Sequence, residues 1–352
     1  MQQPPAVDDQ GRIFLHAGGR LVAIEQREGK PEVCWEYVTG SHAPGPVVIA
    51  PDGSLRLHCS DGMLHFLTRD GKQINAPEEV GEPLGYAAPV VDAGGATYIS
   101  AYDGGLIRVG PDGKRQKPGS YLRTRQKLDA PGIIHESTLY VGSEEGYIFA
   151  VELGERRGRN RWDHSAEVGH AGWYIRAGVA VTDDELLVVA GRDEHLYGFH
   201  PDGRTAFRTL MPGQMLGSPV IDRLGHIYVG ISQAERGKKP AGLLVCLDGN
   251  SHKVRWQYQA AGPVEATPVI GDDDVIYLGD NEGLIHAVDF SGSGKWTAQV
   301  ESPVRSAGTI VGPGRVAFGQ DNETLIVLEC SSKALAVAGW PKFGRTLANS
   351  AL

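Results

Sequence analysis

The chain has 352 residues, and its 43 acidic and 34 basic side chains leave a formal net charge of −9 at neutral pH. This charge argues against indiscriminate nucleic-acid binding. No apolar run approaches the roughly 20 residues that span a bilayer as a helix. The N-terminal residues have neither the charged nor the apolar region of a signal peptide. We therefore expect a cytoplasmic protein if Met1 is the native start, and a periplasmic or extracellular one if the chain is a processed mature form.

One sequence pattern recurs eight times. In the copy from Thr267 to Trp296, a short apolar strand A is followed by strand B, Ile276-Tyr277-Leu278, and strand C, Ile285-His286-Ala287-Val288. An acidic or glycine turn separates the strands, and a fourth strand, D, ends the copy on an aromatic residue. The copies open 40 to 49 residues apart, on Pro5, Pro46, Pro89, Pro131, Gly178, Pro219, Pro268 and Gly308.

Short strands at even spacing must protect their edges, and radial closure leaves only short edges. We therefore predict an all-β, eight-bladed β-propeller of four-stranded antiparallel blades, with seven blades as the runner-up. The whole chain, 1–352, is expected to form one domain, since each blade buries its faces against its neighbours. The predicted blades lie near 4–41, 42–84, 85–127, 128–175, 176–215, 216–264, 265–304 and 305–352.

The most regular copies are Val141 to Val151, VGSEEGYIFAV, and Leu278 to Asp289, LGDNEGLIHAVD. This pattern closely resembles the repeats named after enzymes that use pyrroloquinoline quinone (PQQ), and the resemblance covers essentially the whole chain. In that family, the aromatic residue that ends a repeat docks against the next blade. The resemblance assigns this role to Trp35, Trp162, Trp256, Trp296, Trp340 and, in the fifth blade, Phe207.

The resemblance does not carry the family's catalysis to this chain. The quinone-dependent dehydrogenases are longer, hold Ca²⁺ with Glu, Asn and Asp beside a catalytic Asp, and often place adjacent cysteines beside the quinone. The four cysteines here, Cys34, Cys59, Cys246 and Cys330, are far apart, and no matching acidic set is present. We therefore predict neither PQQ nor calcium as a cofactor. We interpret the cysteines as buried free thiols and predict no metal site, because no histidine pair has metal-ligand spacing.

In a propeller, the D–A connections and B–C turns share one face, called the loop face below. We expect residues just before each strand A to ring the channel mouth there: His42, Tyr86, Lys127, Trp173, Tyr174, Arg176, Met215, Glu265 and Arg305. Trp173 stands outside the docking pattern and, with His170, Tyr174 and Arg176, is interpreted as a ligand platform. The alternative is that Trp173 plugs the channel or covers an exposed edge of the core. Arg125 and Lys127 belong to a basic loop, 117–127, expected to attract an anion or to be a solvated surface loop.

Other polar groups have a structural interpretation. Acidic residues recur in every B–C turn, Asp280 and Glu282 among them, because such turns favour Asp and Glu. A long B–C insertion in the sixth blade, 232–242, is either a lid or partner contact, or a tolerated surface insertion. At the end of the chain, Gly339 to Phe343 is expected to form the aromatic exit of the last blade, and Ala348 to Leu352 to lie beside Gln3 and Pro4.

We predict a non-catalytic binding or scaffolding propeller that holds an acidic peptide, a protein partner or a small anionic ligand at the loop face, with no nucleic acid and no membrane span. The alternative is a lyase, cyclase or isomerase in which Trp173 and Tyr174 stack on substrate, Arg176 stabilises an anion and His170 is the base. A PQQ-dependent oxidoreductase is the third possibility. The sequence leaves the oligomeric state open.

Overall fold

In the computed structural model, the chain forms eight antiparallel sheets arranged as an eight-bladed β-propeller, as the repeats predict. The structure describes residues 4–27, 30–81, 88–101, 103–115, 121–128, 130–155, 157–162, 169–234, 237, 239–346 and 349. Within these ranges, no helix is long and apolar enough to cross a membrane.

Each of the first four blades contains four strands that follow one another in the chain and in the sheet. Blade one comprises β1 Ala6–Val7, β2 Ile13–Ala17, β3 Arg20–Arg27 and β4 Lys30–Val38. Blade two comprises β5 Val48–Ile49, β6 Leu55–His58, β7 Met63–Leu67 and β8 Glu78–Glu79. Blade three comprises β9 Val90–Val91, β10 Thr97–Ser100, β11 Gly105–Val109 and β12 Leu122–Arg123. Blade four comprises β13 Ile133–His135, β14 Thr138–Gly142, β15 Ile148–Glu152 and β16 Arg159–Asn160.

The next three blades repeat this order, and the eighth has three strands among the described residues. Blade five comprises β17 Ala180–Val181, β18 Leu187–Ala190, β19 His195–Phe199 and β20 Thr205–Leu210. Blade six comprises β21 Val220–Ile221, β22 Ile227–Gln233, β23 Ala241–Leu247 and β24 Val254–Ala260. Blade seven comprises β25 Val269–Ile270, β26 Val275–Gly279, β27 Leu284–Asp289 and β28 Gly294–Gln299. Blade eight comprises β29 Thr309–Gly312, β30 Arg315–Gly319 and β31 Leu325–Glu329.

Burial follows the position of a strand in its blade. The strands A, such as β21 and β25, are short and buried, and the middle strands β14 and β26 are buried along their whole length. In contrast, the outer strand β28 alternates between half-buried and exposed residues. The core therefore consists of apolar layers between neighbouring blades, as expected when each blade covers the next.

Aromatic residues near the ends of five blades connect each of these blades to the next one. The indole N–H groups of Trp35, Trp162 and Trp256 donate hydrogen bonds of 2.9, 3.1 and 3.0 Å to carbonyl oxygens in the C–D turn of the following blade. Phe207 stacks on His252 of the following blade with ring centroids 3.9 Å apart. Blade three uses a residue that the repeat pattern does not identify, since the Tyr121 hydroxyl donates to the Gly154 carbonyl at 2.7 Å.

The C-terminal segment, residues 332–346, departs from the blade pattern and crosses the channel. Trp340 and Ile221 exchange two backbone hydrogen bonds of 2.8 and 2.9 Å, and the Ile270 N–H donates to the Pro341 carbonyl at 2.8 Å. The expectation that Gly339 to Phe343 ends the last blade is therefore wrong. These residues pair with the innermost strands of blades six and seven, and Trp340 is buried in the core there.

The two ends of the chain meet at the seam of the ring. The Asn349 side-chain amide donates to the carbonyl oxygens of Pro4 and Val47 at 3.3 and 3.1 Å. Its carbonyl accepts a 2.7 Å hydrogen bond from Nζ of Lys342, which is fully buried. The predicted contact between the C-terminal residues and Pro4 is confirmed for Asn349, and the other residues of that prediction lie outside the described ranges.

Deletion of residues 340–352 removes the pairing with blades six and seven and the contact of Asn349 with Pro4. We expect a sharp loss of stability, on the order of 5 kcal/mol, because this deletion exposes the innermost strands and removes a buried indole. Thermal and urea unfolding of the truncated and full-length proteins measure the effect. Equal unfolding midpoints would show that the segment does not hold the ring closed.

Burial lowers the pKa of Lys342 to about 7, below its ordinary value of 10.5. Between these values the unfolded chain binds a proton that the folded protein does not, so stability rises with pH across this window and is lost as pH falls toward 7. Relative to Lys342→Met, the wild type should gain about 3–5 kcal/mol of unfolding free energy between pH 7 and 10.5. Urea titrations of both proteins at several pH values test this, and parallel pH profiles would contradict it.

Candidate functional site

A repeated backbone contact builds the loop face. In five blades, an N–H in the B–C turn donates to a carbonyl of the incoming connection, as in Arg192 to Tyr174 at 3.2 Å. The other donor and acceptor pairs are Ser60 with His42, Glu144 with Lys127, Asn281 with Pro263, and Asp321 with Pro303. These contacts fix each connection against its own blade, so the residues that follow are held at the channel mouth.

A pocket of about 100 Å³ lies at the channel mouth. Its wall comes from residues around the start of strand A in several blades, and Phe343 of the C-terminal segment lies on it as well. The lining residues are Pro4, Pro131, Arg176, Ala177, Leu216, Gly217, Ser218, Glu265, Thr267, Arg305, Ala307 and Phe343. The C-terminal segment crosses the channel beneath the pocket, and a smaller cavity lined by Trp340, Phe343 and Asn349 remains between this segment and blades three to five.

The pocket wall presents hydroxyl groups that have protons to donate. The Thr267 hydroxyl oxygen accepts the Ser218 N–H at 2.8 Å, and the Ser218 hydroxyl oxygen accepts the Gly178 N–H at 2.8 Å. Each oxygen is thus an acceptor in the wall, and no acceptor for either hydroxyl proton is found among the described residues. A hydroxyl is both donor and acceptor, so both groups can donate to a ligand in the pocket.

The charges at the pocket rim are arranged as a network. Nε of Arg305 lies 3.3 Å from a Glu265 carboxylate oxygen and donates to the Asn281 side-chain carbonyl at 3.2 Å. Arg305 also forms an ion pair with Asp321, and Asn281 donates to Glu265 at 2.8 Å. Glu265 and Arg305 therefore compensate each other, and Arg176 adds a positive charge on the same wall.

The predicted mouth residues divide into two groups. Arg176, Glu265 and Arg305 line the pocket. His42 and Lys127 provide the carbonyls that hold the B–C turns, as do Tyr174, Pro263 and Pro303. Arg176, Glu265 and Arg305 each lie two residues after the residue that provides the carbonyl in their own connection. His42 and Lys127 provide this carbonyl themselves, so they lie two positions before the one that faces the pocket. His42 is exposed beside His16, Lys127 pairs with Glu144 at 3.4 Å, and Met215 is buried in the core.

Trp173 and Tyr174 lie between the B–C turns of blades four and five. Trp173 is 57% exposed, although it is a large aromatic residue. The guanidinium of Arg192 lies 6.0 Å from the centroid of the Trp173 ring and 5.4 Å from that of Tyr174. These cation–π contacts hold the indole at the surface, so the interpretation of Trp173 as a channel plug is wrong. The repeat pattern did not single out Arg192, which lies in an ordinary B–C turn.

The remaining predicted site residues do not converge on the pocket. The His170 ring packs on Tyr147 with centroids 4.3 Å apart, and its Nε2 lies 3.2 Å from the Glu145 carbonyl. Arg125 is exposed, away from the pocket lining. Tyr86 lies outside the described residues. In the same basic loop, Arg123 pairs with Asp103 at 3.3 Å, and the Lys127 pair with Glu144 neutralises a second cation.

The acidic B–C turns bind their own backbone. The buried Asp280 accepts N–H groups of Gly262, Glu282 and Leu284 at 2.9 to 3.0 Å and contacts Nε2 of His286 at 3.0 Å. Burial alone would raise the pKa of Asp280, but these donors together hold it below its usual value. This arrangement supports the structural interpretation of the turn acids.

The insertion of the sixth blade extends its central hairpin. β22 and β23 continue their pairing to Gln233 and Ala241. Lys239, near the tip, forms an ion pair of 3.1 Å with Glu282 in the B–C turn of blade seven. Among the described residues of the insertion, Lys239 therefore contacts the neighbouring blade at the loop face.

The described pocket does not fit the cofactors of the quinone-dependent enzymes. A volume of about 100 Å³ is well below the roughly 300 Å³ or more of most small-molecule sites. Ca²⁺ takes six to eight oxygen ligands, whereas Glu265 is the one carboxylate on the described lining and it is engaged by Arg305 and Asn281.

Comparison with known proteins agrees with the fold. Residues 225–339 match the sequence family described as "Outer membrane protein assembly factor BamB". No curated protein matches the chain. BamB from Moraxella catarrhalis is similar in structure, with a TM-score of 0.70, 16% identity, and coverage of 94% of this chain and 97% of that chain.

Two further solved structures are similar over most of the chain. Saccharomyces cerevisiae Sqt1 has a TM-score of 0.74 and 13% identity, covering 93% of this chain and 95% of that one. The quinohemoprotein alcohol dehydrogenase from Comamonas testosteroni has a TM-score of 0.66 and 13% identity, covering 91% of this chain and 70% of that one. The family match, together with the similarity to BamB and to the quinohemoprotein dehydrogenase, confirms the predicted PQQ-type propeller. At these identities the structural likeness shows the fold alone.

Replacement of Asp280 by alanine tests the structural interpretation of the turn acids. We expect a loss of about 3–5 kcal/mol of unfolding free energy, because three backbone N–H groups and the His286 ring lose a buried acceptor. Asp103→Ala is the matched control. Asp103 is an exposed turn acid that accepts the Gly105 N–H, so its loss should cost under about 1 kcal/mol. Similar unfolding midpoints for the two variants in urea would contradict this interpretation.

Proposed function

We propose that this protein is a non-catalytic binding propeller that holds a partner protein at the loop face, with an acidic side chain of the partner in the channel-mouth pocket. The observation that carries the proposal is the set of hydrogen-bond donors on one wall: the Ser218 and Thr267 hydroxyls and the Arg176 guanidinium. A carboxylate accepts several hydrogen bonds at once, so it matches such a wall.

The size of the pocket favours a side chain over a free ligand. A cavity of about 100 Å³ accommodates a carboxylate and its methylene groups, whereas drug-sized ligands occupy roughly 300 Å³ or more. A peptide that projects one acidic residue into the pocket would rest its other residues on the surrounding loop face. Arg176 supplies a positive charge on the same wall of the pocket.

Trp173 provides the second part of the proposed interface. Exposed Trp, Tyr and Arg residues are the side chains that most often dominate protein–protein binding energies. The exposed Trp173 and the half-buried Tyr174 and Arg192 form a group of these residue types, and Arg176 follows three residues after Trp173. The match of residues 225–339 to a family described as an assembly factor supports the protein-binding class.

The test compares affinity capture by the wild type with capture by Trp173→Ala and by Leu224→Ala, followed by native mass spectrometry of the eluates. Leu224 is 55% exposed in the A–B turn of blade six, so it is an apolar control on the opposite face. Trp173→Ala should weaken partner binding by about thirtyfold or more, since a hot-spot residue contributes at least about 2 kcal/mol. Leu224→Ala should bind as the wild type does.

The other outcomes distinguish the alternatives. A small bound mass that disappears in Trp173→Ala would replace the partner protein with a small ligand, and would reopen the enzyme hypothesis. A visible chromophore in the purified protein would indicate a quinone and contradict the proposal. Partner binding that survives both Trp173→Ala and Arg176→Ala would place the interface elsewhere.

A further inference from the structure

Three side chains with metal-binding atoms meet between blades one and two. Cys59 and Asp61 lie in the B–C turn of blade two, and His65 lies on the following strand, β7. The thiol sulfur, a carboxylate oxygen and a ring nitrogen are all within 4.8 Å of one another. Cys59 and His65 are buried, and Asp61 is exposed at the loop face. The channel-mouth pocket does not include these residues.

The hydrogen bonds of His65 leave one ring nitrogen for a ligand. The Tyr37 hydroxyl donates to Oε1 of Gln73 at 3.1 Å, and it also lies 3.2 Å from Nδ1 of His65. A hydroxyl has a single proton, so Nδ1 must donate to the tyrosine oxygen. The lone pair is then on Nε2, which is buried and has no hydrogen-bond partner among the described residues.

Blade seven contains the same arrangement with one substitution. There, Tyr258 lies 3.2 Å from Nδ1 of His286, and Nε2 of His286 contacts the Asp280 carboxylate at 3.0 Å. Cys59 occupies the turn position of Asp280, six residues before the histidine in both blades. A thiol therefore replaces the carboxylate that satisfies the ring in blade seven, and in blade two Nε2 has no partner.

We propose that Cys59, Asp61 and His65 bind a zinc-class divalent cation, with Tyr37 positioning the imidazole. A thiolate, an imidazole and a carboxylate are the three donor types that zinc takes in proteins. The Tyr37 contact is of the kind that fixes the tautomer and orientation of a metal-binding histidine. Blade seven, in contrast, has no thiol, and Asp280 there is already occupied by four donors.

The geometry requires a small contraction. Metal–ligand bonds of about 2.0–2.3 Å place tetrahedral ligand atoms roughly 3.3–3.8 Å apart, so atoms now within 4.8 Å must approach by about 1 Å. Asp61 is exposed, and its Oδ1 accepts the Met63 N–H at 3.1 Å, so Oδ2 is the oxygen that would approach the cation. Three protein ligands leave a fourth position for water, as in open zinc sites.

A cation at this site must displace the proton of the Cys59 thiol, because burial raises the pKa of this thiol and disfavours the thiolate. Binding therefore forms a metal–sulfur bond and releases the thiol proton to solvent. The ordinary rule of paired histidines along one strand does not detect this site, because the hairpin turn brings the ligands together.

The experiment is a titration of the reduced, untagged, metal-free protein with Co²⁺, which substitutes for zinc and reports a bound thiolate by its charge-transfer absorption. The wild type should bind one equivalent and develop this absorption. Cys59→Ser should abolish the thiolate band, and His65→Gln should weaken Co²⁺ binding by at least about tenfold. Zn²⁺ should displace the bound Co²⁺ from the wild type.

Two matched controls keep the test independent of folding. Cys330→Ser removes a half-buried thiol elsewhere, and His286→Gln removes the equivalent histidine of blade seven. Both should bind Co²⁺ as the wild type does, and circular dichroism should show the same strand content in all folded variants. The proposal is overturned if the wild type develops no thiolate band, or if the band persists in folded Cys59→Ser.

Discussion

Backbone pairing between the C-terminal segment and the innermost strands is the constraint on which the rest of the structure depends. Strand A is only two residues long in most blades, and its inner edge faces the channel. In blades six and seven this edge is paired by the segment around Trp340 and Pro341, which also crosses the channel. The inner edge of a strand A has no neighbouring strand of its own blade. Pairing with the C-terminal segment therefore satisfies backbone groups of blades six and seven that would otherwise face the channel unpaired.

The same segment determines what the channel can bind. Phe343 follows the paired residues and lies on the pocket wall, so it limits the pocket to its volume of about 100 Å³. Lys342 is buried beside it and reaches Asn349, which contacts Pro4 and Val47. The C-terminal segment therefore closes the ring, forms the floor of the pocket and holds the two ends of the chain together at the seam.

The polar side chains that recur from blade to blade form hydrogen bonds within the fold. The side chains that depart from the repeat pattern are the ones to which we assign a function. Asp280 is engaged by three N–H groups and a histidine, and the docking indoles donate to neighbouring carbonyls. Trp173 has no docking position and remains at the surface. Cys59 replaces the aspartate that the repeat places beside the histidine, and Nε2 of His65 is left without a partner there.

Repetition explains which features the sequence predicts. A pattern that occurs in eight copies predicts the number of blades, the docking of Trp35 and the role of the turn acids. An irregular copy can be recognised by comparison with the others. The positions at the channel mouth do not follow, because a two-residue offset changes which side chain faces the pocket: Arg176 does and Lys127 does not. The path of Trp340 depends on long-range pairing that no local pattern encodes.

Hydrogen–deuterium exchange of the intact protein tests most directly whether the C-terminal segment closes the channel. The amides of Ala336 and Trp340 donate to the carbonyls of Ile270 and Ile221, so they should exchange as slowly as the amides of the innermost strands. Exchange of Ala336 and Trp340 at the rate of an unfolded chain, with Val220 and Val269 still protected, would show that the segment is not paired and that the pocket lacks the floor described above.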